Sequence, residues 1–150
     1  MRRLILTVGN DLMGDDAAGP EVARRLQAAP APGWDVIDGG SMPENCLGQV
    51  RALRPDLVLV VDAAEMGLAA GEIRRLSEDV IARQWLMTTH DLPLTLLIEA
   101  LREFVPEVVC VGIQPAVVAF GQPLSLSVEQ AIDSLCSELR SGAVALDNAR

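Results

Sequence analysis

The segment Leu57 to Val61 is apolar at every position and runs directly into Asp62. A strand without polar alternation must be covered on both faces, the condition of a central strand in a parallel sheet. Parallel strands need long crossover connections, usually helices. The rest of the chain supplies them. Leu4 to Val8 is a second apolar run, closed by Gly9. Gly19-Pro20 opens a helix, proline being tolerated in the first turn, and Val22, Leu26 and Ala29 give it one apolar face. Trp34 to Ile37 reads as another strand, ended by Asp38-Gly39-Gly40. A helix spans about Pro43 to Leu53, with Cys46, Val50 and Leu53 as its stripe and Arg54-Pro55 as its stop.

Downstream of Asp62, Glu72 to Leu76 is a weaker strand suited to an antiparallel edge. Pro93 to Phe104 reads as a helix with Leu94, Leu97, Ile98 and Leu101 on one side, and Val108 to Ile113 as the last strand. Ser127-Val128-Glu129-Gln130 has the pattern of a capping box. It predicts a helix with the stripe Val128, Ile132, Leu135 and Leu139 and a stop at Gly142. The expected fold is α/β, a three-layer α/β/α sandwich around a twisted, mostly parallel sheet of about five strands. Right-handed crossovers place the first and third strands side by side. A chain of 150 residues suits one domain, here 1–150, with a frayed tail over 143–150.

Charge excludes several functions. The chain carries 12 basic and 21 acidic residues, a net charge of −9, and every basic residue is arginine. Nucleic-acid binding needs a basic footprint, so it is excluded. No apolar run approaches the ~20 residues of a membrane span. No signal-peptide pattern precedes the first strand, which points to the cytoplasm. Cys46, Cys110 and Cys136 form no CxxC pair and read as small apolar residues of a reducing compartment.

Ligands of open parallel sheets bind outside the carboxyl ends of the strands. There the sequence places Asp15-Asp16, then Asp38 to Ser41, then Asp62, then Met87 to Asp91 with the only histidine, His90, and finally Gly112 to Pro115. Either Asp15 or Asp16 could cap the first helix. Asp62 ends an all-apolar strand and faces a desolvation cost unless something pairs with it. Without lysine, that partner is an arginine, backbone donors or a metal. Asp16, Asp62 and His90 together make a set of two carboxylates and one imidazole, suited to zinc, nickel or manganese with positions left open. A dinucleotide fold needs GxGxxG, and a P-loop or phospho-receiver domain needs a lysine; both requirements fail. GxSxG is also absent, and no cysteine sits in a credible Cys-His setting.

These residues resemble a known family. GNxxxGDDAxGP (Gly9 to Pro20), DGGS (Asp38 to Ser41), VVDAxxMGxxxGE (Val60 to Glu72), MTTHDLPL (Met87 to Leu94) and GIQP with FGxPLS (Gly112 to Ser125) are similar to the [NiFe]-hydrogenase maturation endopeptidases. TTHDLPL and GIQP resemble most the branch that processes the large subunit of hydrogenase 3, the formate hydrogenlyase hydrogenase. The resemblance implies a cytoplasmic endopeptidase, aspartyl-type or metal-linked. Such an enzyme removes the C-terminal extension of a large-subunit precursor after nickel insertion. It implies Asp16, Asp62 and His90 as catalytic and metal-contacting residues, with aspartate at 16 where the family often has glutamate. It assigns substrate recognition to the turn Asp38, Gly39 and Gly40. The nickel is then the substrate's own, and zinc or cadmium could substitute in crystals. The ion would polarise the scissile carbonyl or lower the pKa of a bound water towards ~7. Two other classes use the same residues: a metal-dependent hydrolase of a small molecule, and a non-catalytic hydrogenase assembly chaperone.

Overall fold

The computed structural model describes residues 1–77, 79, 81 and 94–142. Strands β1 (Arg3–Thr7), β2 (Trp34–Asp38), β3 (Leu57–Ala63), β4 (Ile73–Arg75) and β5 (Glu107–Ile113) form one sheet in the order β2-β1-β3-β5-β4. The β1–β2, β1–β3 and β3–β5 pairs are parallel, and β4 joins β5 antiparallel at the edge. β1 and β3 are neighbours, as crossover handedness requires. Their register pairs Thr7 with Val61, and across the next strand Asp62 with Gly112.

Helices α1 (Ala18–Ala28), α2 (Leu47–Leu53), α3 (Leu94–Arg102) and α4 (Leu126–Ser141) cover the sheet. β3 explains why there are three layers. Val58, Leu59, Val60 and Val61 are all fully buried. Leu59 and Val61 pack with Val22, Leu26, Ile132, Leu135 and Leu139 of α1 and α4. Val58 and Val60 face the other way, with Val50, Leu97, Ile98 and Leu101 of α2 and α3. Each such side chain contributes ~1.5–3 kcal/mol when fully buried. Among the described residues no helix is long and apolar enough to cross a membrane.

Four local readings of the sequence differ from the structure. The helix expected over Pro43 to Leu53 is a 3-10 turn over Pro43–Cys46 followed by α2, and of its expected stripe only Val50 is fully buried. α1 is entered through a 3-10 turn over Gly14–Ala17 and has begun before Gly19-Pro20. Its buried face is Ala18, Val22 and Leu26, whereas Ala29 is the exposed C-terminal cap. The cap of α4 is Ser125, not Ser127, and its hydroxyl accepts from the Val128 N–H. Ser125 is held in extended backbone by contacts with a distant loop, which the local capping pattern does not contain. β3 continues through Asp62 to Ala63 because β5 goes on pairing with it. The four-residue stripe of α4 and the stop at left-handed Gly142 are as expected. Pro93 and the tail 143–150 lie outside the described residues.

A candidate active site at the carboxyl edge of the sheet

Gly9 turns the chain from β1 back onto the sheet edge. Its φ is +152°, and a Cβ there would lie 2.1 Å from the Asp16 carbonyl oxygen and 3.0 Å from Pro20 Cδ. Only glycine allows that approach. The Gly9 N–H donates to the Gly40 carbonyl (2.9 Å), tying the first loop to the turn after β2. The Asn10 N–H donates to Asp16 Oδ2 (2.9 Å). Asp16 is 6% exposed, and the turn that carries it packs against β3, whose Asp62 is 5% exposed. The structure therefore brings two buried carboxylates to the carboxyl edge of neighbouring strands. The third member of the expected set, His90, lies outside the described residues, as does Asp91. Among the described residues no group of three His, Cys, Asp or Glu side chains is arranged to hold a metal.

Asp38 stands at the rim. Its Oδ1 accepts from the Gly40 N–H (2.9 Å) and from the Thr7 hydroxyl (3.2 Å). Gly39 donates to the Thr7 carbonyl (2.7 Å), and a Cβ at Gly39 would sit 2.7 Å from that oxygen. The turn Asp38 to Gly40 is thus stitched to the end of β1 beside the loop that leads to Asp16.

Asp15 does not cap α1 and is not a surface residue. It is fully buried, and its carboxylate accepts from the backbone of Ala116, Val117 and Ser125 and from the Ser125 hydroxyl. Burial alone would raise its pKa. The hydrogen bonds from Ser125, Val117 and Ala116 outweigh that and hold it below the ordinary aspartate value. Its carboxylate is thus occupied as a structural acceptor. Gln114 is the other residue whose role the sequence concealed. It is buried and bonds to the segment that follows Asp62. GIQP is visible as a motif, but its partners are 46 to 49 positions away.

The loops flanking Asp16 also form an apolar rim. Leu12, Val117, Val118, Phe120 and Leu126 are exposed, Phe120 by 75%. Leu12 and Gly121 are joined by a backbone hydrogen bond, as are Asp15 and Val117. Pro115 to Val128 carries no charged side chain, in a chain with 22% charged residues.

A family model described as hydrogenase maturation protease matches residues 20–141. The hydrogenase 3 maturation protease of Escherichia coli K12 is 47% identical over 139 residues, covering 93% of this chain and 89% of that protein. A putative hydrogenase maturation protease of Methanocaldococcus jannaschii is 30% identical over 145 residues, covering 91% and 85%. Among solved structures, the solution structure of endopeptidase HycI from Escherichia coli superposes with a TM-score of 0.87 at 45% identity, covering 95% of this chain and 92% of that one. The crystal structure of the [NiFe] hydrogenase maturation protease HycI from Thermococcus kodakarensis gives 0.78 at 31% identity, covering 93% and 92%. With Asp16 and Asp62 at one edge of the same fold, the chain belongs to the hydrogenase maturation proteases, a family of hydrolases that act as endopeptidases.

Proposed function

We propose that this endopeptidase removes the C-terminal extension of a [NiFe]-hydrogenase large-subunit precursor of the hydrogenase 3 type, in the cytoplasm, once nickel has been inserted. The observation that carries the reading is the pair of buried carboxylates at the carboxyl edge of a sheet in a chain without lysine: Asp16 in the turn after β1, and Asp62 near the end of the adjacent parallel strand β3. Two acids so placed repel each other at neutral pH unless a cation or protons compensate. Hard oxygen donors with one imidazole fit a divalent ion and leave positions open for a substrate. Asp16, Asp62 and His90 are the residues we assign to the nickel carried by the precursor. Zinc or cadmium fits the same donors in a crystal. That ion supplies Lewis acidity at the scissile carbonyl.

The chain's own groups do the positioning. The Asn10 N–H holds Asp16 through its Oδ2. Asp38, Gly39 and Gly40 line the path of the precursor backbone and select it. The apolar rim of Leu12, Val117, Val118 and Phe120 favours a protein substrate over a small hydrophilic one. The test is incubation with nickel-loaded and nickel-free precursor, followed by mass measurement of the large subunit. Shortening of the loaded form alone is expected. Equal shortening of both forms, or of neither, rejects the reading.

A further inference from the structure

We propose that Gln114 is a positioning residue of the cleavage reaction, holding the segment after Asp62 in the path that aims the Asp62 carboxylate; the inference rests on the proteolytic reading above. The β3–β5 ladder ends where the Ala64 N–H donates to the Ile113 carbonyl (3.0 Å). Beyond it the chain is wrapped around one residue. Gln114 Oε1 accepts from the N–H groups of Met66 (2.8 Å) and Leu68 (3.3 Å). Its Nε2 donates to Glu65 Oε2 (2.9 Å) and to the Pro115 carbonyl (3.2 Å). Its backbone carbonyl accepts from Gly71 (2.8 Å), and its N–H donates to the Glu72 carbonyl (2.8 Å).

The remaining amides of this segment are also met by side chains. Gly67 donates to Glu65 Oε2 and Ala69 to Glu72 Oε2, each at 2.9 Å. Four successive amides therefore depend on three side chains, and Gln114 supplies the acceptor for two of them. A buried amide with both ends satisfied is a rigid hub. Gln114 is 3% exposed. The hub acts beside the site. Gly112 is the register partner of Asp62, and a Cβ on it would lie 2.8 Å from Ala64 Cβ and 3.2 Å from Met66 Sδ. The segment gripped by Gln114 thus lies directly over the strand position next to Asp62.

Gln114→Glu keeps the shape and the acceptor for Met66 and Leu68. It turns the donating end into an oxygen that faces two acceptors, Glu65 and Pro115. Glu65→Gln in the same chain restores a donor opposite that oxygen, at the cost of the acceptor for the Gly67 N–H and with the Pro115 carbonyl still unmet. In processing of nickel-loaded precursor, Gln114→Glu is expected to lower kcat by at least about tenfold with KM nearly unchanged. The pair Gln114→Glu with Glu65→Gln is expected to recover a measurable part of the loss. Thermal melts accompany each chain. If Gln114→Glu does not fold, Gln114→Asn is read in its place, because it keeps donor and acceptor and shortens the reach by one methylene. A folded variant with the wild-type kcat overturns the proposal, and so does a loss that the pair does not recover. Absence of cleavage by the wild-type chain instead rejects the proteolytic reading, and this inference with it.

Discussion

The Asp15 carboxylate takes two hydrogen bonds from one residue 110 positions away, the N–H of Ser125 at 2.7 Å and its hydroxyl at 2.9 Å. The same hydroxyl accepts from the Val128 N–H, so a single serine joins the loop after β1 to the first turn of α4. Ala116 and Val117 complete the grip on Asp15. The rim that flanks Asp16 is rigid because one buried acid organises three segments of chain.

Asp15→Asn places an amide donor among N–H donors and removes the charge that strengthens these bonds. The expected loss at pH 7 is roughly 3 kcal/mol, or about 6–12 °C in Tm for a domain of this size. The sign of its pH dependence follows from the lowered pKa. Asp15 contributes fully above the unfolded aspartate value of ~3.9 and loses its contribution as pH falls through the lower folded value. Thermal melts of both proteins should therefore differ most at neutral pH and converge as pH falls through the lowered folded value. A constant gap across this range contradicts the assignment.

Much of this was legible because it is local. The all-apolar run before Asp62, the helical stripes and Gly142 each carry their own periodic or conformational signal. So the adjacency of β1 and β3, the antiparallel edge strand, the layers and the placing of Asp16 and Asp62 at one edge follow from pattern and handedness. What the sequence hid is non-local. Asp15 looks like a helix cap until its partners beyond position 115 are known. Ser127 has a better local capping pattern than Ser125, and loses because Asp15 holds Ser125. Gln114 in GIQP has no periodic signature, since its partners belong to another crossover.

Asp38→Asn should leave the fold intact and change processing. Asparagine keeps an oxygen for the Gly40 N–H and the Thr7 hydroxyl, so stability should move by less than about 1 kcal/mol. Its charge is lost at an exposed rim position. The rate on the native precursor, or the choice between it and a related precursor, is expected to change. Identical rates on both would remove Asp38 from recognition. Gly40→Val should be worse, though for a different reason. Gly40 has φ +58° and nothing within 4 Å of a would-be Cβ, so the cost is backbone strain and not collision. For a β-branched residue it should exceed ~1–2 kcal/mol, read as a lower Tm together with slower processing.

Thiol reagents should not stop the enzyme. Burial pushes the Cys110 thiol well above its usual range, and the neighbouring Asp62 charge adds to this. Burial also raises Cys136 and Cys46. Cys110 and Cys136 are buried and Cys46 is half-buried, so little thiolate is presented to solvent. Mass spectrometry after treatment of the folded protein with iodoacetamide should find Cys46 modified slowly and the other two intact, with processing retained. Loss of activity from alkylation of a protein that still melts normally would point to a thiol mechanism instead.

The site itself predicts unequal consequences for its three assigned residues. Asp62 lies on a strand buried on both faces, and Asp62→Ala removes a buried carboxyl group from it without creating a large cavity. Precursor processing should fall below detection while the protein still melts cooperatively. His90→Ala should have the same effect on processing, since no other imidazole exists in the chain to replace it. Asp16→Ala should abolish processing and also cost stability, because the Asn10 N–H loses its acceptor. Asp16→Glu keeps a carboxylate one methylene longer, and is expected to retain processing within about tenfold of the wild-type rate. A crystal soaked with cadmium or zinc should show one ion bridging Asp16, Asp62 and His90 at ~2.0–2.3 Å in the zinc case. The same soak of His90→Ala should show weaker density or none. Normal maturation of the large subunit by His90→Ala would sink the assignment. So would an ion bound by the two acids with His90 remaining more than about 10 Å away, well beyond ligand distance.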